Sequence, residues 1–263
     1  MQTEFVDLHY QLHFRSPFHF GTGLRAGLVQ RSLARNQQGL PFVPGSTLKG
    51  VLRQQATHLA RLLEPTLAVR EPHVRADEPL AATAPRGRAE SPVGEFAPRA
   101  DLVALIFGSR YHPGTLYFDD AILCKEDADL LTNDDQSRPL LSPTEVRTRV
   151  SMARRTGTAR RGLLFSSEYG LADLHFAGRI YGLLTGVPFT DDDQAQHPRT
   201  YSLALLLAAF QSLDHLGGSQ SSGCGKVVAQ LTSLHVDANV RTIEEYLAHL
   251  GQFEYYTLME EES

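Results

Sequence analysis

The chain has no tryptophan and only two cysteines among its 263 residues, Cys124 and Cys224, a hundred positions apart. So few thiols, with no histidine or cysteine clustered around either, exclude a disulfide framework and a structural zinc site and fit a reducing cytoplasm. The eleven histidines are scattered and define no metal-ligand spacing. No run approaches the ~20 apolar residues that span a bilayer. Met1-Gln2-Thr3-Glu4 lacks the basic and apolar regions of a secretory leader, so export is not expected. Acidic residues are absent from two long windows. Between Leu8 and Leu63 there is no Asp or Glu against seven Lys/Arg, and between Val146 and Ser167 there are six Arg and no acid. These windows hold thirteen of the 25 basic residues, while acids crowd into Asp119–Asp135, Asp191–Asp193 and Glu260–Glu262. The net charge of −5 therefore conceals a polarised molecule with a basic face, and a polyanionic partner is not excluded.

What is present is ordinary for a globular chain, with 42% apolar and 21% charged residues and enough length for a real core. The most informative stretch is Gly39–Arg53, GLPFVPGSTLKGVLR. Pro41 and Pro44 hold their predecessors out of helical angles, so Leu40–Val43 is extended and the Pro44-Gly45 pair stops it. Ser46 is expected as the N-cap of a helix, its hydroxyl accepting from a free amide of the first turn. Leu48, Val51, Leu52, Ala56, Leu59, Leu62 and Leu63 recur at helical spacing. Lys49 and Arg53, four apart, project together. Free amides beside two cations can hold an anion; the same pattern also describes a capped amphipathic helix with solvated charges.

Val6–Arg15 alternates strictly, with Val6, Leu8, Tyr10, Leu12 and Phe14 on one side, and predicts a half-buried strand. His9 and His13 share its polar side, but no third ligand accompanies them. Leu24–Gln38, carrying Arg25, Arg31 and Arg35, reads as a basic loop suited to phosphate contacts. Six prolines between Glu64 and Ala100 forbid helix and central strand alike and mark an insertion. Leu102–Phe107 predicts a short helix, Thr115–Leu123 a strand, and Lys125–Pro143 an acidic loop. Within Thr115–Leu123, Asp119-Asp120 raises a metal or acid/base pair, of which strand geometry lets at most one serve a site. Arg147, Arg149, Arg154, Arg155, Arg160 and Arg161 flank Thr156-Gly157-Thr158, as in a β-hairpin too polar to pack as core. Gly162–Ser167 and His175–Leu184 continue as strands, turning at Glu168-Tyr169-Gly170. Tyr201–His215 is apolar enough all round to be a deeply buried helix. The loop after it, with Gly217, Gly218, Ser219, Gly223, Gly225 and Lys226, permits close backbone approach to phosphate or ribose. It is not a nucleotide-binding P-loop, because Cys224 stands where the lysine belongs and the loop joins helix to strand. A strand then spans Val227–Val236, and Arg241–Leu250 a short terminal helix.

Three of these stretches resemble RAMP-superfamily proteins, the RNA-binding subunits of type III CRISPR effector complexes. PGSTLKGVLR is similar to the signature Pro-Gly-Ser-(Ser/Thr)-Leu-Lys-Gly-x-x-Arg. Ile106-Phe107-Gly108-Ser109 with Gly114–Ala121 resembles the Gly-x-Leu-x-Phe-x-Asp-Ala strand, and Arg149–Ala159 resembles the family's protruding thumb hairpin. The resemblance implies a single α+β, ferredoxin-like domain over 1–263, with an insertion at 64–100 and a thumb at 145–167. It implies guide and target RNA, other RAMP subunits and the complex's large subunit as partners, a cytoplasmic location, and no cofactor or metal. The expected RNA contacts are Arg25, Arg31, Arg35, Ser46, Lys49, Arg53, the six hairpin arginines, the loop residues Gly217, Gly218, Ser219, Gly223 and Gly225, and Lys226. Members that cut RNA carry an Asp ahead of the Pro-Gly-Ser motif. Here Gly27–Ser32 holds no acid, which favours a structural subunit over a target-cutting one. A guide-processing nuclease would need a catalytic histidine, for which His19 is the candidate near the basic loop.

Overall fold

A computed structural model describes residues 2–23, 31–63, 102–109, 113–132, 142–186, 188–189, 199–248 and 250, without the side chains of 161–163. The 64–100 insertion and Arg25 lie outside the described residues.

The alternation of the first strand organises the fold. β1 (Gln2–Phe14) buries Val6, Leu8, Tyr10, Leu12 and Phe14 on one face. It is paired antiparallel on both edges, to β7 (Leu174–Gly186) and to β8 (Val227–Val236). Outside β7 lie β3 (Leu116–Phe118), β4 (Ala121–Leu123) and then β2 (Phe42–Val43), and β9 (Asn239–Val240) edges β8. The main sheet therefore runs β2-β4-β7-β1-β8-β9, with β3 also on β7, every pair antiparallel. Three helices, α1 (Gly45–Leu63), α2 (Leu102–Phe107) and α4 (Tyr201–Gln211), pack over one face. Every residue of α4 from Tyr201 to Phe210 is buried between the sheet and the other helices, which accounts for its lack of a polar side. On the opposite face Arg179 makes a bidentate pair with Asp7, at 2.7 and 2.8 Å, and lies 4.5 Å over the ring of Tyr181, which stacks on Tyr117.

Several local expectations are corrected. Helix α1 starts two residues earlier than a Ser46 cap would have it, because the Pro44 carbonyl already accepts from the Thr47 and Leu48 amides. The Gly45 amide is capped instead by the Asp120 carboxylate, at 2.8 Å, and Ser46 is an exposed first-turn residue. A Cβ at Gly45 would meet the Phe118 and Asp119 carbonyls, so only glycine lets the helix start sit this close to the sheet. Thr115–Leu123 is two short strands, not one, split at Asp119-Asp120, where the Asp120 side chain turns to the helix. Lys125–Thr132 is a helix, α3, not a loop, held by Asp127, which accepts from the His175 amide at 2.7 Å. The Glu168–Gly170 segment is strand: β6 runs Thr158–Gly170, paired to β5 (Thr144–Ala153), and the chain reverses only afterwards. The C-terminal helix α5 is confined to Glu244–Leu247.

Glu4, at the start of β1, is 1% exposed and accepts the Thr200 hydroxyl at 2.5 Å. Thr200 in turn caps α4 through the Leu203 amide. Burial raises the Glu4 pKa from 4.5 to about 7, with the Thr200 bond opposing. A carboxyl whose folded pKa lies above its unfolded value binds its proton more tightly when folded. Its contribution is complete below the unfolded pKa and is lost as pH rises through about 7. Glu4→Gln is expected to remove that loss: on going from pH 4 to pH 8 the wild type should lose on the order of 3 kcal/mol relative to the variant. Parallel pH-dependent denaturant curves for the two proteins would disprove it.

Candidate nucleic-acid interface

The register of the three central strands brings three loops to one end of the sheet. Phe14 closes the pairing of β1 with Leu174 on one side and Val227 on the other. The segment after β1, the end of β6 and the glycine loop before β8 therefore emerge together. Beneath them Phe14, Phe18, Phe20 and Phe176 pack ring against ring, Phe14 to Phe18 at 4.4 Å and Phe18 edge-on to Phe176 at 5.4 Å. Such pairs contribute about 0.5–1.5 kcal/mol each beyond burial. Phe18 also exchanges both backbone hydrogen bonds with Gly170, at 3.2 and 2.8 Å, which ties the hairpin to the body. A side chain at Gly170 would enter the Phe18 ring.

The β5–β6 hairpin forms a two-stranded sheet of its own. On one face Arg147 and Arg149 lie 5.3 and 5.5 Å over the ring of Tyr169, which they help bury to 2% exposure, and Arg147 also pairs with Glu145. The other face leaves Val146, Val150 and Leu164 exposed. Arg154, Arg155 and Arg160 are exposed at and beside the tip, and Arg161 lies in β6 with its side chain outside the described residues.

At the hairpin base the first acid-free window meets Glu168, the acid that ends the second. Glu168 accepts from the Leu33 amide at 2.9 Å, from Arg35 at 2.5 Å and from the Thr144 hydroxyl at 2.9 Å. Burial alone would raise its pKa; the Leu33, Arg35 and Thr144 bonds together overcome this and hold it below the usual carboxylate value. Arg35, which also donates to Thr144 and to the Gly39 carbonyl, is thus a structural cation. Arg31 is exposed, and its backbone bridges to β6 through Ser166 and Glu168.

The glycine loop folds against the segment after β1. Gly217, Gly223 and Gly225 have φ of 93°, 80° and 80°, and Ser219 at 63° opens the short 3-10 turn Gln220–Ser222. The Gly218 amide donates to the His19 carbonyl at 2.9 Å, the Gly225 amide to the Pro17 carbonyl at 2.8 Å, and the Lys226 amide to the Ser16 hydroxyl at 2.9 Å. Ser219 Oγ lies 3.3 Å from the Tyr169 hydroxyl, so loop and hairpin touch directly. Lys226 and Arg15, joined by a backbone hydrogen bond, are exposed beside them.

Lys49 and Arg53 belong to a different neighbourhood. Lys49 lies 5.5 Å over Phe118 and Arg53 5.9 Å over Phe107, where Arg53 also donates to the Gly108 carbonyl. Burial, then the Arg53 charge, lowers the Lys49 pKa. Arg53 therefore braces α1 on α2 rather than reaching outward. His9 and His13 diverge to separate acids, His9 to Asp7 at 3.3 Å and His13 to Asp173 at 3.4 Å. Among the described residues no group of three or more His, Cys, Asp or Glu could hold a metal ion. No helix among them is long and apolar enough to cross a membrane.

Sequence reasoning missed Glu168 and Tyr169, whose partners are 20 or more positions away. The one signal was position: Glu168 is the first acid after the second acid-free window, and Tyr169 follows it. Arg35→Ala is expected to lower stability by about 1–3 kcal/mol, because it leaves a half-buried carboxylate short of a charged partner. Arg154→Ala, at the exposed tip, should leave the melting temperature unchanged. Equal melting temperatures for the two variants would refute the assignment of Arg35 as structural.

Three comparisons bear on the chain. No curated protein matches it. Among solved structures, a chain of a cryo-EM structure of the type III-B Cmr-beta complex bound to cognate target RNA is similar at 13% identity and a TM-score of 0.49, covering 88% of this chain and 97% of that one. The family model of the RAMP superfamily matches residues 11–228, from within β1 through the glycine loop, and the chain belongs to that superfamily.

Proposed function

We propose that this protein is a non-catalytic, guide-RNA-binding subunit of a type III CRISPR ribonucleoprotein complex. Its partners would be guide and target RNA, further RAMP subunits and the large subunit, in the cytoplasm. The observation that carries the reading is the convergence of the arginine-faced hairpin and the glycine loop at one end of the sheet, in a family member with no acid between Val146 and Ser167 of the hairpin or in the loop. Cations and backbone amides meet phosphate without reading sequence. A ferredoxin-like core has support in the order β8-β1-β7-β4, with α1 following β1 and α4 following β7. The hairpin would be the thumb that reaches over RNA toward the next subunit.

A target-cutting role has less support. Cleavage through a 2′-hydroxyl needs a base or a positioning carboxylate within about 3 Å of it. Asp120 is engaged in capping α1, and Glu168 in holding Arg35. Asp119 remains the exposed carboxylate to test, and a site-specific product lost on Asp119→Asn would make this chain a nuclease.

Changing Arg154, Arg155, Arg160 and Arg161 together to Glu is expected to abolish RNA binding or assembly while leaving the melting temperature in place. Unchanged assembly and unchanged affinity would sink the thumb reading. RNA affinity should also fall steeply with salt despite the negative net charge, with a log–log slope of about −0.7 per phosphate contact. A flat salt titration would mean that the basic windows are not the binding face.

A further inference from the structure

The ring of His19 stands where the hairpin, the glycine loop and the segment after β1 meet, and the residue is 8% exposed. Its Nδ1 lies 2.7 Å from the Glu168 carbonyl oxygen. A carbonyl only accepts, so Nδ1 carries the proton, and in the neutral imidazole Nε2 presents a lone pair. No hydrogen bond to Nε2 is found among the described residues. A Cβ at Gly21 would stand 3.1 Å from it, and one at Gly218 would stand 3.5 Å from Cδ2 of the same ring. Glycine at these two positions keeps the approach to Nε2 open.

The charged groups exposed or half-exposed nearby are mostly cations, the guanidinium groups of Arg147 and Arg149 over Tyr169 and the Lys226 ammonium, and the Ser219 hydroxyl beside them can donate as well as accept. Those suit phosphate oxygens, which only accept. A lone pair among them cannot serve a phosphate and repels one. It suits a hydroxyl that donates. We infer that His19 Nε2 accepts the 2′-hydroxyl of a ribose lying across the glycine loop, making His19 the residue that distinguishes RNA from DNA. This rests on the RNA-binding reading above and adds a sugar-specific contact to it. The 2′-hydroxyl is the group by which a protein separates the two nucleic acids at a given position. No bond is made or broken in this role.

The experiment compares oligo-rU with oligo-dU, which share the same base and differ only at the 2′ position, by fluorescence anisotropy on the full chain. The variant is His19→Asn, whose amide keeps a donor toward the Glu168 carbonyl while removing the Nε2 acceptor; its melting temperature is read alongside. Wild type is expected to prefer rU, and the variant to lose about 3- to 10-fold of that preference through weaker rU binding, with dU affinity unchanged. Should His19→Asn unfold the chain, Gly21→Ala provides the second variant, crowding Nε2 from outside with the same expected loss. An rU/dU ratio that stays the same in the folded variants, including equal weakening of both strands, overturns the inference and leaves RNA binding intact. Absence of binding to either strand by wild type overturns the RNA-binding reading itself, and the inference with it.

Discussion

Pairing of β1 on both edges is the constraint from which the rest of the structure follows. The strand sits between β7 and β8 with its apolar side chains buried, Tyr10 against Phe210 of α4 and Phe14 in the phenylalanine cluster. A slip of one residue would turn Val6, Leu8, Tyr10, Leu12 and Phe14 to the open face, so the register has no near competitor. Because both neighbours run antiparallel, the end of β1 meets the beginnings of β7 and β8. Loops from distant parts of the chain are thereby delivered to one place by the core and not by contacts with one another. The phenylalanine cluster under those loops then sets the height at which they stand above the sheet.

Electrostatics act in a second layer. Glu168 is one carboxylate among many cations, and it draws in Arg35, the cation nearest the hairpin base, along with the Leu33 amide. Arg53 is withdrawn in a similar way to a carbonyl and an aromatic ring. Arg31, Arg154, Arg155 and Arg160 are left exposed on a frame that these pairs help hold. A basic surface of this kind needs some of its cations spent as struts, and counting arginines in the sequence does not tell the two sorts apart.

Features that depend on local pattern were legible in the sequence. The alternation of β1, the all-apolar α4, the period of α1 and the Arg-flanked turn at Gly157 each declared themselves within a dozen or so residues. The misreadings share a cause: their partners lie far along the chain. Ser46 has the chemistry of a cap, yet Asp120, 74 positions on, sits over the helix start. Glu168-Tyr169-Gly170 looks like a turn because of its glycine, but that glycine is there to admit the Phe18 ring. His19 stood out in the sequence only as a histidine near the basic loop; which of its two nitrogens is occupied is visible only once β6 lies beside it.

The hairpin is also a lever. Its tie points to the body, through Phe18, Arg31, Arg35 and Ser219, all lie at Ser166–Gly170 and Thr144, while β5 runs ten residues out to Ala153, an arm of ~33 Å at ~3.3 Å per residue. With such an arm a rotation of only ~10° at the base sweeps the tip through ~6 Å, more than the ~4.8 Å between neighbouring strands of a sheet. A register shift between Val150 and Met152 adds a second joint partway along. Stiffness at the Glu168 junction therefore sets the bearing of the tip, and a small side-chain change there would re-aim the outermost arginines without altering any of them.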